Sequence, residues 1–349
     1  MSKILSKSII LTGITLLLLS CKASEPTGSA EHNLYPYLED QEVGFLDNNL
    51  TKKIDPKFKF VQTPIWPYTF SEGLAAVNFL GSIGYIDRNG SIVIDPKFDY
   101  AEAFNEGTAL VRVKMQYGFI NQEGDFIIDP TFYKAERFSE GLAPVKDHRN
   151  SAWGYINKEG NLKIKNQFTA AKTFSEGVAL VQTPEHNEWG FINPDGEMVI
   201  PAQYEKAKSF SEGLAPVMLG FKQWGYINQN GAVIIESKFL EAYPFSENKA
   251  VAAMPVDEEN LENKKYGYIN RRGEFIIEPQ YDRAYAFKEG RARIVKDGKY
   301  GYIDERGQVI AEPIYDKAWD FKGDFALVKL GDKYGYINQN GVFALEPIS

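Results

Sequence analysis

Apolar positions along the chain fall in brief runs, and the same order of runs returns many times. Residues 141–164 show it: Gly141-Leu142-Ala143-Pro144-Val145, a variable stretch, Trp153-Gly154-Tyr155-Ile156-Asn157, the polar Lys158-Glu159-Gly160, then Asn161-Leu162-Lys163-Ile164. Runs this short, rich in aromatic and branched residues and bounded by Gly, Asn and Asp, predict strands rather than helices. Each unit therefore reads as a three-stranded antiparallel meander. Its second and third strands are joined by Asx-x-x-Gly, as in Asp87-Arg88-Asn89-Gly90 and Asp304-Glu305-Arg306-Gly307. That spacing predicts a type I turn followed by a left-handed glycine. The third strand is expected to stop at an acidic residue before proline, as at Asp95-Pro96 and Glu312-Pro313. Beyond it an aromatic-x-x-Ala-x-x-Phe segment, Phe98 to Phe104 for example, has a spacing of three that suits a helical turn or an irregular connector better than a strand. A Ser-Glu-Gly turn then precedes the next unit. Its glycine slot holds Asn248 and Asp324 in two copies, and Gly, Asn and Asp best tolerate positive φ.

The core glycine recurs at Gly44, Gly84, Gly118, Gly154, Gly190, Gly225, Gly267, Gly301 and Gly335. Self-similarity at this period overrides the two or three domains that 349 residues would suggest. The expected fold is all-β: eight full repeats and a degenerate N-terminal one over 35–349, closed as a β-propeller-like ring or, alternatively, left as an open curved superhelix. Leu50 replaces the turn glycine in the first copy, which marks that copy as an end cap.

Composition adds an address and removes some functions. The net charge of -8 disfavours a polyanion, so nucleic acid is not an expected partner. With 20 Tyr, 23 Phe and 5 Trp the core should be aromatic, and a single cysteine leaves no internal disulfide. That residue, Cys21, ends Leu18-Leu19-Ser20-Cys21 after a basic start and an apolar run from Ile9 to Leu19. The stretch resembles the lipobox of bacterial lipoproteins. The resemblance implies a signal peptide over 1–20, a lipidated Cys21, a polar tether over 21–34 and a place in the bacterial cell envelope, attached to the membrane through the lipid alone. Lys22, where an inner-membrane retention signal has aspartate, favours the outer membrane.

The Trp/Tyr-Gly-Tyr/Phe-Ile-Asn/Asp core, the glycine three residues after the Asn or Asp, the following proline and the Phe-Ser-Glu-Gly-Leu-Ala run together resemble the WG-repeat family of bacterial proteins, over residues 43–347. The resemblance implies a secreted or surface-associated interaction module with no catalytic residues to carry across.

Scanning for chemistry agrees. There is no HExxH, no phosphate loop, no nucleophile elbow and no paired metal-ligand spacing, so neither an enzyme nor a cofactor or metal is expected. The recurring glutamates, Glu72 to Glu289, read as solvated turn residues in preference to a cation-binding ring. Nearly every length change between copies falls in the turn between first and second strands, and such insertions gather on one, often binding, face. This makes those turns the candidate site for a protein or peptide partner: His148 and His186 in two of them, and Asp257, Glu258, Glu259, Lys264 and Lys265 in the longest. A second length change brings in Trp66 and Tyr68. These rings read either as an exposed clamp for a glycan or as cover for one end of the array.

Overall fold

The computed structural model describes residues 33–60, 68–257 and 260–348, and Asn33–Ser349 form one compact unit. The leader, Cys21 and the tether up to residue 32 lie outside the described residues. Nine small antiparallel sheets follow one another along the chain and close into a nine-bladed β-propeller. The open superhelix is excluded. Blade 1 spans 35–59 and blade 2 spans 75–98; blades 3 to 5 cover 100–132, 134–168 and 170–204. Blade 6 is 214–239, and blades 7 to 9 are 241–281, 283–315 and 317–348.

In every blade the three meander strands pair in sequence order, as expected. The hairpin between second and third strands has the anticipated geometry. At blade 2, Gly90 has φ 79° and its N–H donates to Asp87 O at 3.0 Å, while Asp87 Oδ1 accepts from Asn89 and Ser91 N–H. The segment after the third strand is not helical. In six sheets it supplies a two-to-six-residue fourth strand, such as Tyr100–Ala101, which pairs with the edge of the first strand. Nor does the third strand stop at the acidic residue: Ile92–Phe98 runs through Asp95-Pro96, with proline at a bulge between the Tyr85↔Ile94 and Ile83↔Phe98 pairs. A bulge leaves residues outside the ladder, so the missing proline N–H costs nothing there.

The core lies between neighbouring blades. Tyr85, Ile94 and Phe98 of blade 2, for instance, pack on Ala101, Phe104, Val111 and Ile120 of blade 3. Two repeated hydrogen bonds tie the layers together. The core tyrosine hydroxyl donates to a carbonyl one connector onward: Tyr85 to Glu102 O at 2.7 Å, Tyr155 to Lys172 O at 2.7 Å, Tyr302 to Trp319 O at 2.7 Å. Burial pushes all three hydroxyls far above the usual phenol range, so they stay protonated donors. The second bond runs from a turn serine to the next turn's phenylalanine carbonyl, as Ser139 Oγ to Phe174 O at 2.8 Å.

The seam repeats the first of these bonds across the whole chain: Tyr336 OH donates to Pro36 O at 2.5 Å. Tyr35 meets Phe325 and Tyr336 edge-on at 5.2 and 5.6 Å, and Leu50 packs in the same cluster as Leu345. The first copy is therefore a full blade rather than an end cap. Leu50 adopts the left-handed φ, 56°, that glycine takes elsewhere, and its side chain joins the seam cluster instead.

The recurrent glutamates are turn residues open to solvent, as expected, and they also bridge neighbouring turns. Each Ser-Glu-Gly turn is a two-residue hairpin with positive φ at both central residues, for example Glu72 at 50° and Gly73 at 85°. The carboxylate reaches the next turn and accepts its backbone N–H: Glu72 from Gly107, Glu140 from Gly177, Glu176 from Gly213, Glu247 from Glu289 and Gly290. Burial raises the Glu106 pKa, but the N–H groups of Gly141 and Glu140 together with Lys158 outweigh it and hold that carboxyl below its ordinary value. The glutamates from Glu72 to Glu247 are thus an arc of blade-to-blade clasps. Asn248 takes positive φ, 61°, in the glycine slot, whereas in the last copy the left-handed residue is Gly323 at 61° and not Asp324.

Candidate functional site

Antiparallel pairing puts the first-to-second-strand hairpins at one end of every blade and the Asx-Gly and Ser-Glu-Gly turns at the other. Ring closure therefore gathers the variable hairpins on one face of the disc, as the length variation suggested. His148 and His186 are exposed there on blades 4 and 5. The longest hairpin, blade 7, is not a loose loop: its strands extend to Ala250–Asp257 and Asn260–Ile269, with Met254 opposite Lys265 and Pro255 opposite Lys264. Asp257 is exposed near its tip, and Glu258 and Glu259 lie outside the described residues. Lys264 and Lys265 are both engaged in ion pairs within the chain. Lys264 Nζ is paired with Glu241, and Lys265 Nζ lies 2.5 Å from Asp282 Oδ1, stapling the hairpin base to the connectors of blades 7 and 8.

The ring expected to form half of a clamp is buried. Tyr68 is 1% exposed, sits in the blade 1 and 2 cluster and donates to Lys59 O at 3.0 Å, so it covers the sheet end. Trp66 lies outside the described residues.

At the base of the long hairpin a cleft of about 880 Å³ opens between the connectors of blades 7 and 8, lined by Glu241, Tyr243, Pro244, Lys264, Tyr266, Arg283 and Tyr285 among others. Glu241 organises one wall: Tyr243 OH and Tyr266 OH donate to Oε2 at 3.0 and 2.9 Å, and Lys264 binds the other oxygen. Burial pushes the carboxyl up, yet these donors outweigh it and leave it below the ordinary value. Burial and the Glu241 charge push the Tyr243 hydroxyl up to about 12. Behind Tyr243, the Lys208 ammonium lies 3.3 Å from the ring centroid and donates to Ala242 O at 2.7 Å; burial brings it down to about 8. On the other wall Arg293 stacks 4.1 Å over Tyr285, and its Nε meets Asp320 Oδ1 at 2.7 Å.

Repeat symmetry shows what is special here. The residue after the connector alanine is charged in blades 3 to 6: Glu102, Glu136, Lys172 and Lys208. In blades 7 to 9 it is Tyr243, Tyr285 and Trp319, all part-exposed. Tyr285 stacks on Tyr300 at 6.2 Å and 30°, and Trp319 leans on Tyr334 at 6.0 Å and 39°. The result is an arc of three aromatic surfaces, one per blade, with its carboxylates and most cations neutralised internally. Such a lining binds by stacking and apolar contact, and among the described residues no cluster of three metal-ligating side chains accompanies it. These rings are hidden when each motif is followed down its own copy; comparing one position across copies reveals the switch.

A model of a family described as WG containing repeat matches residues 83–114, 117–148, 153–183, 189–220, 224–254, 266–300 and 300–334. The chain belongs to the WG-repeat family. Each of the seven matches opens in the second strand of one blade and closes near the end of the first strand of the next, from blade 2 to blade 9, so the WG repeat is one blade in length offset by a single strand. A crystal structure of a eukaryotic initiation factor is similar in fold, at 11% identity and TM-score 0.63, covering 91% of this chain and 96% of that one. BamB from Moraxella catarrhalis gives TM-score 0.46 at 10% identity over 78% of this WG-repeat chain and 93% of its own. No curated protein matches in sequence.

Proposed function

We propose that this WG-repeat propeller is a non-enzymatic scaffold, lipid-anchored on the extracytoplasmic side of a bacterial envelope, that binds a protein or peptide at the cleft of blades 7 and 8. β-Propellers commonly serve as protein-binding scaffolds. The observation that carries the site is the coincidence of the deepest length variation, the extended blade 7 hairpin, with the 880 Å³ aromatic-lined cleft at its base. A hairpin standing beside a concave, preformed surface supplies both an edge and a floor for an extended peptide. The arc of Tyr243, Tyr285 and Trp319 favours a second reading, a glycan or cell-wall polymer laid across three blades, since evenly repeated rings suit a ligand with a repeating unit.

One experiment separates them. Residues 256–263 are replaced by Asp-Gly, which closes the Pro255↔Lys264 pair as a two-residue hairpin, and Tyr285→Ala is made separately. After crosslinking in cells, a protein partner identified with the wild type is expected to be lost, at least tenfold, from both variants. Undiminished crosslinking in both sinks the peptide reading. Retention of the wild type on purified wall polysaccharide, abolished by Tyr285→Ala and indifferent to the shortened hairpin, establishes the second reading in its place.

The anchor has its own test. Cys21→Ser is expected to move the protein from the membrane fraction to the soluble one, because acyl chains contribute about 0.8 kcal/mol per buried methylene. A variant that stays in the membrane fraction and keeps a wild-type lipid label argues against lipidation at Cys21.

A further inference from the structure

Positive φ at a residue other than Asn, Asp or Gly is common in this ring, at the glutamates of the Ser-Glu-Gly turns and at Gln41 for example, but three hairpins on the variable face hold a large apolar side chain there. A two-residue hairpin with positive φ at both central positions calls for Asn, Asp or Gly, and blade 8 complies with Asp297 at 51° and Gly298 at 74°. Blades 2, 3 and 6 do not. Leu80 stands at φ 54°, Lys114 and Met115 at 49° and 71°, Phe221 and Lys222 at 54° and 59°. Bulky side chains in the left-handed region are strained, and here the paired strands on either side of each hairpin hold them in it. None of the three apolar side chains repays the strain by packing: Leu80 is 90% exposed, Met115 77% and Phe221 wholly so. Together they form prongs, each alone at the tip of its hairpin, on one face of a rigid disc.

Their neighbours indicate what they enter. Lys114 and Lys222 flank two of the prongs, and His148, Arg149 and His186 crown the blades between them; Glu185 is exposed beside them, while Asp147 and Glu188 lie part-buried at the hairpin bases and Asp99 accepts the Lys114 N–H. Lys114, Arg149 and Lys222 are exposed and make no ion pair among the described residues. The opposite arc of the same face is acidic at its tips, with Asp40, Asp257, Asp297 and Asp332 all exposed. A shaped protein partner would need a separate pocket for each isolated prong, whereas a lipid phase accepts all of them without complementarity, and basic side chains beside them meet anionic headgroups.

We infer that blades 2 to 6 dock this face, tilted, on an anionic lipid surface, with Leu80, Met115 and Phe221 inserted below the headgroups. This contact is independent of any anchor at Cys21 and leaves the cleft of blades 7 and 8 turned toward solution.

The compact ring from Asn33 to Ser349 is closed by its own contacts, so residues 33–349 can be tested alone. Two vesicle preparations serve as probes, equal parts phosphatidylglycerol and phosphatidylethanolamine, and phosphatidylcholine alone. The ring is expected to sediment with the first and not with the second. The triple variant Leu80→Asn, Met115→Asn, Phe221→Asn should lose that binding by about tenfold or more, since most of the inserted apolar area is gone. Because Asn tolerates positive φ, the same variant should melt at the wild-type temperature or above it. Loss of binding with undiminished stability supports the inference. Equal binding by wild type and variant, no sedimentation of the wild type with either vesicle, or a clearly lowered melting temperature would overturn it. So would loss of a crosslinked protein partner from the variant when neither protein binds vesicles.

Discussion

Gly118→Ala is expected to destabilise the propeller by about 3 kcal/mol, at the upper end of overpacking costs, although glycine there has an ordinary strand conformation. The reason is proximity. A Cβ on Gly118 would stand 2.6 Å from Ile128 O, 2.7 Å from Pro130 N and 2.9 Å from the carbonyl carbon of Asp129. All three are backbone atoms of the third strand, which bulges over the face of the middle strand at this point. No rotamer change relieves such a clash; the strand itself has to lift, and with it the packing of Phe132 against the next blade. Gly107→Ala is the control. That glycine has φ 76°, and the methyl that alanine would add meets nothing within 4 Å, so only the left-handed strain of about 1 kcal/mol applies. Urea unfolding of the two variants measures the difference. If Gly118→Ala costs no more than Gly107→Ala, the glycine of each WG pair is not a close-approach residue.

That close approach also marks how far the fold was legible in the sequence. Periodic apolar runs and Asx-x-x-Gly spacing express local backbone demands, and the three-stranded meander with its left-handed turn glycines followed from them directly. Asp95-Pro96 misled because a proline was weighed as a missing donor on a straight ladder, whereas the strand bulges at that very residue. Tyr35–Glu39 carries none of the Gly-Leu-Ala signature of other first strands, since its neighbour across the seam is blade 9 and its side chains answer to Phe325 and Tyr336. Ring closure is a relation between residues 300 apart, and no local pattern encodes it. The site was less legible still. Length variation pointed to the blade 7 hairpin, but not to the ion pairs that Lys264 and Lys265 make at its base, and Tyr68 is core. The cleft arises from Tyr243 and Tyr285, whose approach depends on two adjacent connectors being brought side by side.

Removing residues 33–41 is expected to cost the ring its cooperative fold. The segment buries Leu34, Tyr35 and Tyr37, and at about 1.5–3 kcal/mol for each fully buried large side chain the loss is of order 5–8 kcal/mol. A domain stability of about 5–15 kcal/mol leaves little after that. The damage does not stay in blade 1. Tyr336 loses its acceptor, Pro36 O, and the Tyr35 ring that covers it, and Phe325 loses the same ring partner, so the face of blade 9 opens to water. The truncated chain should therefore either melt far below the intact one in a broadened transition or associate, covering the exposed seam with a second copy. Differential scanning calorimetry with light scattering distinguishes these from each other and from the behaviour of an open array. In an open array each repeat leans only on its neighbours, so trimming one end would leave the far blades melting as before. Unchanged melting of blades 3 to 8 in the truncated chain would mean that the seam contributes nothing to the ring, and that the bond from Tyr336 to Pro36 closes a circle already stable without it.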